Sequence, residues 1–433
     1  MIRVLTYEQA ILKIKNLEKF GSKPGLERVR KLLELIGNPQ EKLKFVHVAG
    51  TNGKGSVCFM LASILKECGY KTGLFISPSI MDFRERISVN GEMIPENDVC
   101  EILEKLEKFK SEFSEDPLTE FEITTVMAFE YFSRKKCDVV VLETGMGGRL
   151  DSTNVIKAPL CAVITTVSLD HTNFLGKNIN EIATEKLGIA KHDSHLVLGA
   201  GIDSSVCEMA KKVCRDLNSD LILADSSFVS GFKPAGFNKS EFVYGKTKMQ
   251  VSLVGKHQKN NICTVLSILN VLKKSLNIPD AKIKSGLEKV KVPCRIEVLS
   301  DSPLVILDAS HNPESVQALA DFIQNNFKNK KLTALFGMFS DKDVDTSLKI
   351  IGSYFEKIVV VKSDNPRAME VQNLKKIADK YNKNVFAYEN FGEGLKFAVS
   401  GLSENDGLII FGSFSVVSLA KKLFFSIDNP PPM

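Results

Sequence analysis

Several features are missing from this sequence, and each absence excludes a class of protein. The 433 residues contain no run of about eighteen apolar residues, the length that a membrane-spanning helix requires. The first ten residues carry charge but no apolar segment, so a secretory signal peptide is not expected. The nine cysteines form no C-x-x-C pair, and their odd number argues against a disulfide framework or a zinc site. We therefore expect a cytoplasmic protein with reduced thiols that makes no contact with a membrane.

The chain also lacks a basic stripe. Its net charge is +5, and lysines alternate with glutamates in segments such as 101–110, which is typical of a solvated helix face. No nucleic-acid partner is predicted, although a mild positive bias suits anionic small molecules. Hydrophobic and charged residues make up 44% and 25% of the chain, as in ordinary globular proteins, and the length predicts two or three domains. The proline-rich end, 429–433, is predicted to be disordered.

In the first half, short apolar runs alternate with amphipathic segments. Such runs are typical of parallel strands that are buried on both faces. The runs lie at 44–49, 138–142, 160–166 and 196–198, and helices are predicted at 7–20, 26–36, 57–68, 96–112 and 123–135. The segment 77–91 resembles an irregular polar loop, and 221–253 a small antiparallel patch. This alternation predicts a doubly wound α/β sheet with a small added β patch.

A second α/β alternation begins near residue 304. It follows a predicted helix at 259–275 and a predicted hinge at 292–295. Its strands are predicted at 305–308, 332–336, 358–362, 384–387 and 407–411, with helices between them, including 313–326. We therefore predict two α/β domains, an N-terminal domain at 1–293 and a smaller, Rossmann-like domain at 298–433.

The most informative segment follows the first apolar run. Residues 50–56 are Gly-Thr-Asn-Gly-Lys-Gly-Ser, and an amphipathic helix comes next. A strand, a glycine-rich turn and a helix N-terminus cradle phosphate, because backbone N–H groups approach its oxygens and the helix dipole favours negative charge. Lys54 adds a positive charge, although Gly55 separates it from Ser56, unlike the common G-x-x-x-x-G-K-[ST] spacing. We infer a P-loop ATPase-like domain; the alternative is a glycine-rich turn with an incidental lysine.

Two candidate metal ligands follow other apolar runs. Glu143 comes directly after 138–142, and His171 comes shortly after 160–166. Ligands of open α/β sheets gather at the carboxyl ends of strands, and Mg²⁺ prefers hard oxygen ligands. Glu143 is therefore a candidate magnesium ligand, the alternative being a helix-capping glutamate. His171 is a candidate ligand or orienting group, the alternative being a structural histidine.

Together these motifs resemble the folylpolyglutamate synthase family, which comprises folate–glutamate ligases of the Mur ligase superfamily. The matching segments occur in the family's order from residue 47 to 413, nearly the whole chain. They are 50–56, Ile76-Ser77-Pro78, Arg84-Glu85-Arg86-Ile87, 143–151, Asp170-His171, Glu185-Lys186-Leu187-Gly188-Ile189, 255–261, Arg295, 307–313 and Gly412-Ser413. The resemblance implies a two-domain α/β ligase that uses ATP.

The resemblance also implies roles for individual residues toward ATP. The phosphates would be held by residues of the loop, namely Asn52, Gly53, Lys54, Gly55 and Ser56. Asn260 would contact the base, Arg295 the phosphates and Asp308 the ribose. His311 would lie near the γ-phosphate and act as a catalytic residue with Lys54 and Lys186.

Mg²⁺ and a modified lysine are implied as well. Ser77, Glu143 and His171 would bind Mg²⁺. Lys186 matches a family lysine that CO₂ converts to N6-carboxylysine, a reaction that needs a partly desolvated amine with a lowered pKa. Without the motif, Lys186 would be taken for an ordinary surface lysine.

For the folate substrate, the resemblance implies a set of lining residues. They are Thr119, Glu120, Phe121, Glu122, Leu150, Asp151 and Ser152, with Ser413 as a further substrate residue. The chain departs from the family pattern at Ser79, where many members have histidine, at Cys294 in place of glycine, and at Ala309-Ser310 in place of Gly-Ala. These departures affect substrate preference more than the use of ATP.

The implied reaction is the ATP-dependent addition of L-glutamate to the terminal glutamate carboxylate of tetrahydrofolate through an acyl phosphate. The absence of a G-x-S-x-G elbow fits, since phosphoryl transfer needs no covalent nucleophile. One alternative is a dihydrofolate synthase that joins dihydropteroate to L-glutamate, alone or as a second activity. A cell-wall Mur ligase is disfavoured because 77–91 resembles the folate branch. From another class, a nucleotide-binding regulator would hydrolyse ATP without ligation. By resemblance the protein is expected to be a monomer.

Overall fold

The computed structural model describes residues 5–21 and 23–425, so the segment 429–433 lies outside the described residues. The chain divides into two compact units. The first unit comprises Met1–Val229 and Asn260–Val290, and the second comprises Ser230–Lys259 and Lys291–Met433. The proposed boundaries 1–293 and 298–433 stay a prediction; the units differ from them in grouping Ser230–Lys259 with the C-terminal part.

An eight-stranded sheet forms the centre of the first unit, in the order β4-β3-β2-β5-β1-β6-β7-β8. Its strands are β1 (Phe45–Ala49), β2 (Thr72–Phe75), β3 (Ile87–Val89), β4 (Glu92–Met93), β5 (Val139–Glu143), β6 (Cys161–Ile164), β7 (His195–Leu198) and β8 (Asp220–Leu223). The six strands from β2 to β8 in that order are parallel, and β3 and β4 add an antiparallel edge. The predicted doubly wound α/β sheet is confirmed.

Helices precede or follow most of these strands along the chain. They are α1 (Tyr7–Lys15), α2 (Glu27–Leu35), α3 (Lys54–Glu67), α4 (Glu96–Glu107), α5 (Glu120–Arg134), α6 (Thr172–Leu175), α7 (Ile179–Leu187), α8 (Ser204–Asp216), α9 (Lys256–Leu272) and α10 (Asp280–Lys289). The predicted helices 7–20 and 96–112 are shorter than expected, because each gives way to a short 3₁₀ turn. No helix of the described residues is both long and apolar enough to cross a membrane.

Part of the segment 77–91 was wrongly predicted as an irregular loop. Residues Phe83–Arg86 form a 3₁₀ turn, and Ile87–Val89 pair with β2 as a strand. The strand is only three residues long, so its apolar pattern is too short to be recognised. Similarly, Asp220–Leu223 joins the edge of the large sheet and does not belong to the antiparallel patch.

The second unit contains two sheets. The predicted antiparallel patch is confirmed as a three-stranded sheet of β9 (Ser230–Pro234), β10 (Ser240–Tyr244) and β11 (Thr247–Val251). A six-stranded sheet has the order β12-β13-β17-β14-β15-β16, with strands β12 (Glu297–Asp301), β13 (Leu304–Leu307), β14 (Leu332–Phe336), β15 (Lys357–Val361), β16 (Val385–Tyr388) and β17 (Gly407–Phe411). Its helices are α11 (Pro313–Asn326), α12 (Val344–Ile351), α13 (Val371–Ala378), α14 (Phe391–Val399) and α15 (Phe414–Phe425). Strand β12 is antiparallel and was not predicted.

Apolar side chains bury both faces of the large sheet. Ile14 of α1, Leu103 of α4 and Phe129 of α5 share one core cluster with residues of β5. Leu187 of α7 and Ala210 of α8 share another with residues of β6 and β7. Because the helices bury the faces of the sheet, the loops at its strand ends are left to build a site.

Candidate active site

Four parallel strands of the first unit end side by side. They lie in the order β2, β5, β1, β6, and Val48 of β1 lies level with Glu143 of β5. Parallel strands present their carboxyl ends at one edge of the sheet, where ligands of such sheets bind. The segments that leave this edge contain Ser77, Glu143, the P-loop at 50–56 and the segment 165–171. The fold therefore gathers the predicted phosphate and metal residues of the first unit at one edge.

Two glycines determine the backbone conformation of the P-loop. Gly50 and Gly53 have φ values of 155° and 83°, which side chains with a Cβ rarely adopt. A Cβ on Gly53 would lie 2.5 Å from Oδ1 of Asn261, and one on Gly50 would overlap the hydroxyl of Thr165. The loop is thus shaped by close approach as well as by backbone conformation.

Hydrogen bonds fasten the P-loop to the segment that follows β6. The Thr51 N–H donates to the Thr166 carbonyl at 2.9 Å, and the Asn52 N–H donates to Thr166 Oγ1 at 2.9 Å. Thr165 Oγ1 donates to the Asn52 carbonyl at 2.6 Å. Lys54, at the start of α3, folds back so that its Nζ donates to the Gly50 carbonyl at 3.0 Å. The loop is therefore preorganised, with its lysine held beside the backbone that would meet phosphate.

Glu143 is the buried carboxylate of the edge. It is 4% exposed, and its Oε2 accepts a hydrogen bond from the Ser77 N–H at 3.3 Å. His171 precedes α6 with a left-handed backbone, at φ 49°, and its Nε2 lies 4.0 Å from Asp170 Oδ2. The structure brings Ser77 into contact with Glu143. His171 lies in the segment that follows β6, on the other side of β1 from β5.

The donor chemistry of this group suits a hard cation. Within residues 5–21 and 23–425, no cluster of three or more His, Cys, Asp and Glu side chains is arranged to hold a metal by itself. Ser77 and Glu143 offer oxygen donors, and the His171 imidazole belongs to the segment that leaves the same edge of the sheet after β6. Mg²⁺ commonly takes one or two carboxylates together with water and substrate phosphates. The residues therefore fit a magnesium that nucleotide phosphates help to hold.

Lys186 is a buried amine of the first unit. It is 2% exposed, and burial lowers its pKa to about 7. The charge of Lys54 contributes to this lowering of the pKa, whereas Asp170 and Asp151 act in the opposite direction. An amine with such a pKa is largely neutral at slightly alkaline pH, and a neutral amine is the form that attacks CO₂.

Helix α7, which contains Lys186, packs closely against the segment that follows β5, because two glycines leave room for the contact. A Cβ on Gly148 would lie 2.9 Å from the Glu185 carbonyl, and one on Gly188 would lie 2.7 Å from the Arg149 Cα. The Arg149 N–H donates to the Glu185 carbonyl at 2.7 Å, and the two side chains form an ion pair. The glycine-rich segment after β5 thus packs against helix α7 and fixes the position of the buried lysine.

The N-terminus of α5 contains four residues predicted to line the folate. Thr119 and Glu122 form a capping box, with bonds of 2.7 and 3.2 Å between backbone N–H and side chain. Glu122 also pairs with Arg28 at 2.9 Å, and Glu120 pairs with Arg86 at 2.6 Å. Both carboxylates therefore stabilise the helix start, a structural role that motif matching does not reveal.

Phe121 connects α5 with the segment after β5. Its ring centroid lies 5.9 Å from that of Phe75, and a Cβ on Gly145 would lie 2.6 Å from the Phe121 ring. The structure thus places this predicted substrate residue beside the same edge of the sheet.

Asp151 is the buried acid of the segment 150–152. It is 7% exposed, and burial raises its pKa while its hydrogen bonds lower it. Oδ2 accepts the Met146 N–H at 2.9 Å, and Oδ1 accepts the Thr153 N–H at 3.0 Å. Its neighbour Leu150 accepts the Gly25 N–H through its carbonyl, and Ser152 is buried.

In the second unit, Asp308 organises the segment around Arg295. Its Oδ2 accepts the Ile296 N–H at 2.9 Å, and its Oδ1 accepts the Ser310 N–H at 2.9 Å. Cys294 and Ile296 have φ values of 56° and 50°, which is a strained backbone for such side chains. Burial raises the pKa of Asp308, and the Arg295 charge opposes this effect.

Phe414 lies between two predicted ATP residues of the second unit. The Arg295 guanidinium carbon is 5.2 Å from its ring centroid, and the His311 ring centroid is 6.0 Å away. His311 Nδ1 lies 2.8 Å from the Ala309 carbonyl, so Nδ1 carries the proton of the neutral ring. Ser413 precedes Phe414, and its Oγ accepts the Val416 N–H at 3.2 Å.

Asn260 is presented by a helix and not by a strand end of the large sheet. It lies on α9, in the part that belongs to the first unit, and a Cβ on Gly201 would lie 3.0 Å from its Nδ2. The structure therefore gathers the predicted residues of each unit separately, with Asn260 beside the loop after β7.

Sequence reasoning assigned no role to several residues that shape the first unit's site. Asp170 acts on Lys186 electrostatically, and Thr165 and Thr166 hold the P-loop. Their position directly after an apolar strand was a usable signal. The sequence contains no such signal for His47 and Thr153, because these two residues contact each other although they are 106 positions apart.

Comparison with known protein families defines the class. Residues 48–269 match the Mur ligase middle domain, and residues 294–414 match the Mur ligase glutamate ligase domain. A chain with both domains is an ATP-dependent ligase of the Mur type.

Individual relatives narrow the class. The chain is 35% identical to the dihydrofolate synthase/folylpolyglutamate synthase of Bacillus subtilis strain 168 over 430 residues, which cover 96% of this chain and 98% of that protein. It resembles the structure of Mycobacterium tuberculosis folylpolyglutamate synthase complexed with ADP at a TM-score of 0.89 and 29% identity, covering 98% of this chain and 100% of that one. Escherichia coli FolC in complex with DHPP and ADP matches at a TM-score of 0.83 and 28% identity, covering 96% of this chain and 97% of that one. The chain belongs to the dihydrofolate synthase/folylpolyglutamate synthase family.

Proposed function

We propose that this ligase adds L-glutamate to the terminal glutamate carboxylate of tetrahydrofolate, with hydrolysis of ATP to ADP and phosphate. The observation that carries the proposal is the match with the Bacillus subtilis enzyme over 96% of the chain. The gathering of the P-loop, Glu143 and Lys186 in one unit supports it, since carboxylate activation by ATP needs bound phosphates and neutralised charge. The monomeric state and the cytoplasmic location stay predictions.

In the first step, a substrate carboxylate oxygen attacks the γ-phosphorus of ATP. The bond from that phosphorus to the β,γ-bridging oxygen breaks, which releases ADP and leaves an acyl phosphate. Residues 53–56 offer backbone N–H groups, and Lys54 offers a charge that offsets the one developing on the phosphoryl oxygens. In the second unit, we assign Arg295, held over Phe414, to the phosphates, with Asp308 on the ribose and His311 near the γ-phosphate.

Mg²⁺ fits the edge formed by Ser77 and Glu143, with His171 as the third protein ligand. When bound, the ion would neutralise phosphate charge and align the triphosphate. The protein's own contribution is to keep Glu143 buried and fixed by the Ser77 N–H, so that the carboxylate need not reorganise.

Lys186 is proposed to carry a carbamate. The ammonium first loses a proton, and the neutral amine nitrogen then bonds to the carbon of CO₂ while one C=O π bond opens and its electron pair moves to oxygen. The nitrogen loses a second proton, so a buried cation becomes a carboxylate. Burial of Lys186 at 2% exposure supports this proposal, because desolvation favours the neutral amine. The new carboxylate would add an oxygen donor beside the proposed metal site.

In the second step, the amine of L-glutamate attacks the activated carbonyl carbon. The tetrahedral intermediate collapses, the bond from the carbonyl carbon to the phosphate oxygen breaks, and an amide and inorganic phosphate remain. Water competes with the amine for the acyl phosphate, so the buried surroundings of Glu143 and Asp151 favour ligation over hydrolysis.

A second activity, the joining of dihydropteroate to L-glutamate, is favoured by a specific finding. The relatives from Bacillus subtilis and Escherichia coli strain K12 are both named dihydrofolate synthase/folylpolyglutamate synthase. Both acceptors present a carboxylate on a pteridine-aminobenzoyl group, so one phosphate site serves both.

The proposed function is tested by product analysis with each acceptor separately. The purified full-length protein is incubated with Mg²⁺–ATP, L-glutamate and either dihydropteroate or tetrahydrofolate, and amide products and ADP are quantified. We expect one ADP per amide bond with tetrahydrofolate and also with dihydropteroate. Product from dihydropteroate alone would leave only the second activity. ATP turnover that is independent of both acceptors would refute the proposal and indicate a nucleotide-hydrolysing regulator.

A further inference from the structure

A buried chain of hydrogen bonds connects the interior of β1 with Asp151. His47 is fully buried in the middle of β1, and its Nε2 lies 2.8 Å from Thr153 Oγ1. Thr153 is also fully buried, and its hydroxyl donates to Asp151 Oδ1 at 2.6 Å. Neither His47 nor Thr153 belongs to the residues assigned to ATP, metal or folate above.

The direction of these bonds follows from the number of protons. Thr153 has one hydroxyl proton, and this proton lies on the bond to Asp151. The hydroxyl oxygen can therefore only accept from His47, which requires that Nε2 carry the ring proton. The opposite tautomer would set two lone pairs against each other. Every bond in the chain thus points toward the Asp151 carboxylate.

His47 is suited to this role because it stays neutral. Burial, with a smaller contribution from the charge of Lys191, lowers its pKa to about 3. Its Nδ1 has no hydrogen-bond partner among residues 5–21 and 23–425. A neutral ring with one satisfied N–H is a fixed donor over the physiological pH range.

Asp151 receives several donors on one short stretch of chain. The Met146 N–H reaches Oδ2, while the Thr153 N–H and hydroxyl reach Oδ1. These bonds oppose the effect of burial, which disfavours the charged carboxylate. The rotation of the carboxylate is also fixed, because both oxygens are engaged. Asp151 lies between Leu150 and Ser152, which were assigned to the pteridine side.

We propose that His47 and Thr153 are positioning residues that fix the Asp151 carboxylate for recognition of the pteridine substrate. The inference rests on the proposed function, because the pteridine is the ligand that the segment 150–152 is assigned to bind. His47 acts through Thr153, and Thr153 acts through Asp151, so neither need touch the substrate.

Two matched pairs of variants of the full-length protein test the proposal. Thr153→Val removes the hydroxyl at nearly constant volume, and Thr153→Ser keeps it. His47→Gln carries an amide nitrogen to about the position of Nε2, whereas the shorter His47→Asn cannot reach it. For each variant, kcat and the KM values for tetrahydrofolate and ATP are measured at saturating glutamate. Val46→Ala, on the same strand with its side chain on the opposite face, controls for loss of stability.

We expect Thr153→Val to raise the tetrahydrofolate KM by about tenfold, as for the loss of one hydrogen bond to a charged group. His47→Asn removes the donor that fixes the Thr153 hydroxyl and should raise this KM by a similar factor, and both variants should change the ATP KM by less than about twofold. Thr153→Ser and His47→Gln should restore the tetrahydrofolate KM to within about threefold of the wild type. Equal KM values for all four variants, or equal rises in both KM values, would overturn the proposal. If the His47 variants fail to fold, the Thr153 pair decides. A wild-type protein without ligase activity would refute the proposed function, whereas an active one with an unchanged tetrahydrofolate KM in Thr153→Val would refute only the positioning role.

Discussion

The charge of Lys54 lowers the pKa of Lys186, although the two lysines come from different helices, α3 and α7, that begin more than a hundred residues apart. Burial is the larger cause, and together they bring this pKa to about 7. Two neighbouring positive charges in a buried site cost free energy, unless anions neutralise them or one group loses its proton. Phosphates bound at Lys54 would neutralise one charge, and a carbamate on Lys186 would replace the other positive charge with a negative one.

Replacement of Lys186 tests the carbamate. We expect Lys186→Ala to lower kcat by more than about a hundredfold and added acetate or formate to restore part of the activity, because a small carboxylate can take the place of the missing carbamate. Intact mass of the wild type under CO₂ should show the added mass of one CO₂. Lys212→Ala, an exposed lysine of α8, is the control and should keep full activity. Full activity of Lys186→Ala without an added acid would remove the carbamate from the account.

The lowered pKa of Lys186 also predicts how stability depends on pH. The folded pKa of about 7 lies below the ordinary value of about 10.4, so between these pH values the unfolded chain binds the extra proton. Stability should therefore rise with pH across this window, by about 1 kcal/mol per pH unit relative to Lys186→Met. Urea unfolding in CO₂-free buffer at several pH values measures the difference. A difference between the two proteins that stays constant with pH would show that the lysine is charged in the folded state.

Removal of the Lys54 charge should disable phosphoryl transfer. We expect Lys54→Ala to lower kcat/KM for ATP by more than about a hundredfold, which corresponds to roughly 3 kcal/mol of transition-state stabilisation. Its unfolding midpoint should stay near that of the wild type, because the ammonium donates to the Gly50 and Thr51 carbonyls of its own loop. Lys66→Ala, near the end of the same helix, is the matched control. Glutamate ligation within tenfold of the wild type would contradict the role of the loop.

Two glycines of the P-loop should differ in their tolerance of alanine. At Gly53, φ is 83° and a Cβ would lie 2.5 Å from Asn261, so Gly53→Ala is expected to cost about 1–3 kcal/mol of stability. At Gly55, nothing lies within 4 Å of a Cβ, and the residue is helical, so Gly55→Ala should be neutral or stabilise by up to about 1 kcal/mol. Denaturant unfolding of both variants gives the comparison. Similar effects on stability would mean that backbone strain does not shape the loop.

Much of the fold could be predicted because its central strands are continuous apolar runs. The observed strand β5 is buried at every position, and a continuous apolar run of this kind has few other interpretations. The glycines of the P-loop were equally informative, since their spacing and context imply one conformation. The motif of Glu143 was predictable for the same reason, because Glu143 is the last residue of a buried strand.

What could not be predicted depends on contacts between distant residues. The three-residue strand β3 is defined by its pairing with β2 and not by its own pattern. Asp308 accepts a hydrogen bond from the Ile296 N–H, and Glu122 forms an ion pair with Arg28. Neither contact could be predicted, because neither follows from a local periodicity. The His47–Thr153 bond is another example, because burial of both side chains is a property of the folded chain alone.

Transfer of oxygen from the acceptor carboxylate to phosphate tests the central claim most directly. Tetrahydrofolate with isotope-labelled oxygen in its terminal carboxylate is ligated to L-glutamate in ordinary water, and the inorganic phosphate is analysed by mass spectrometry. An acyl phosphate predicts that each phosphate released carries one labelled oxygen, with ADP as the only nucleotide product. Unlabelled phosphate accompanied by amide product, or label recovered in AMP, would contradict the account.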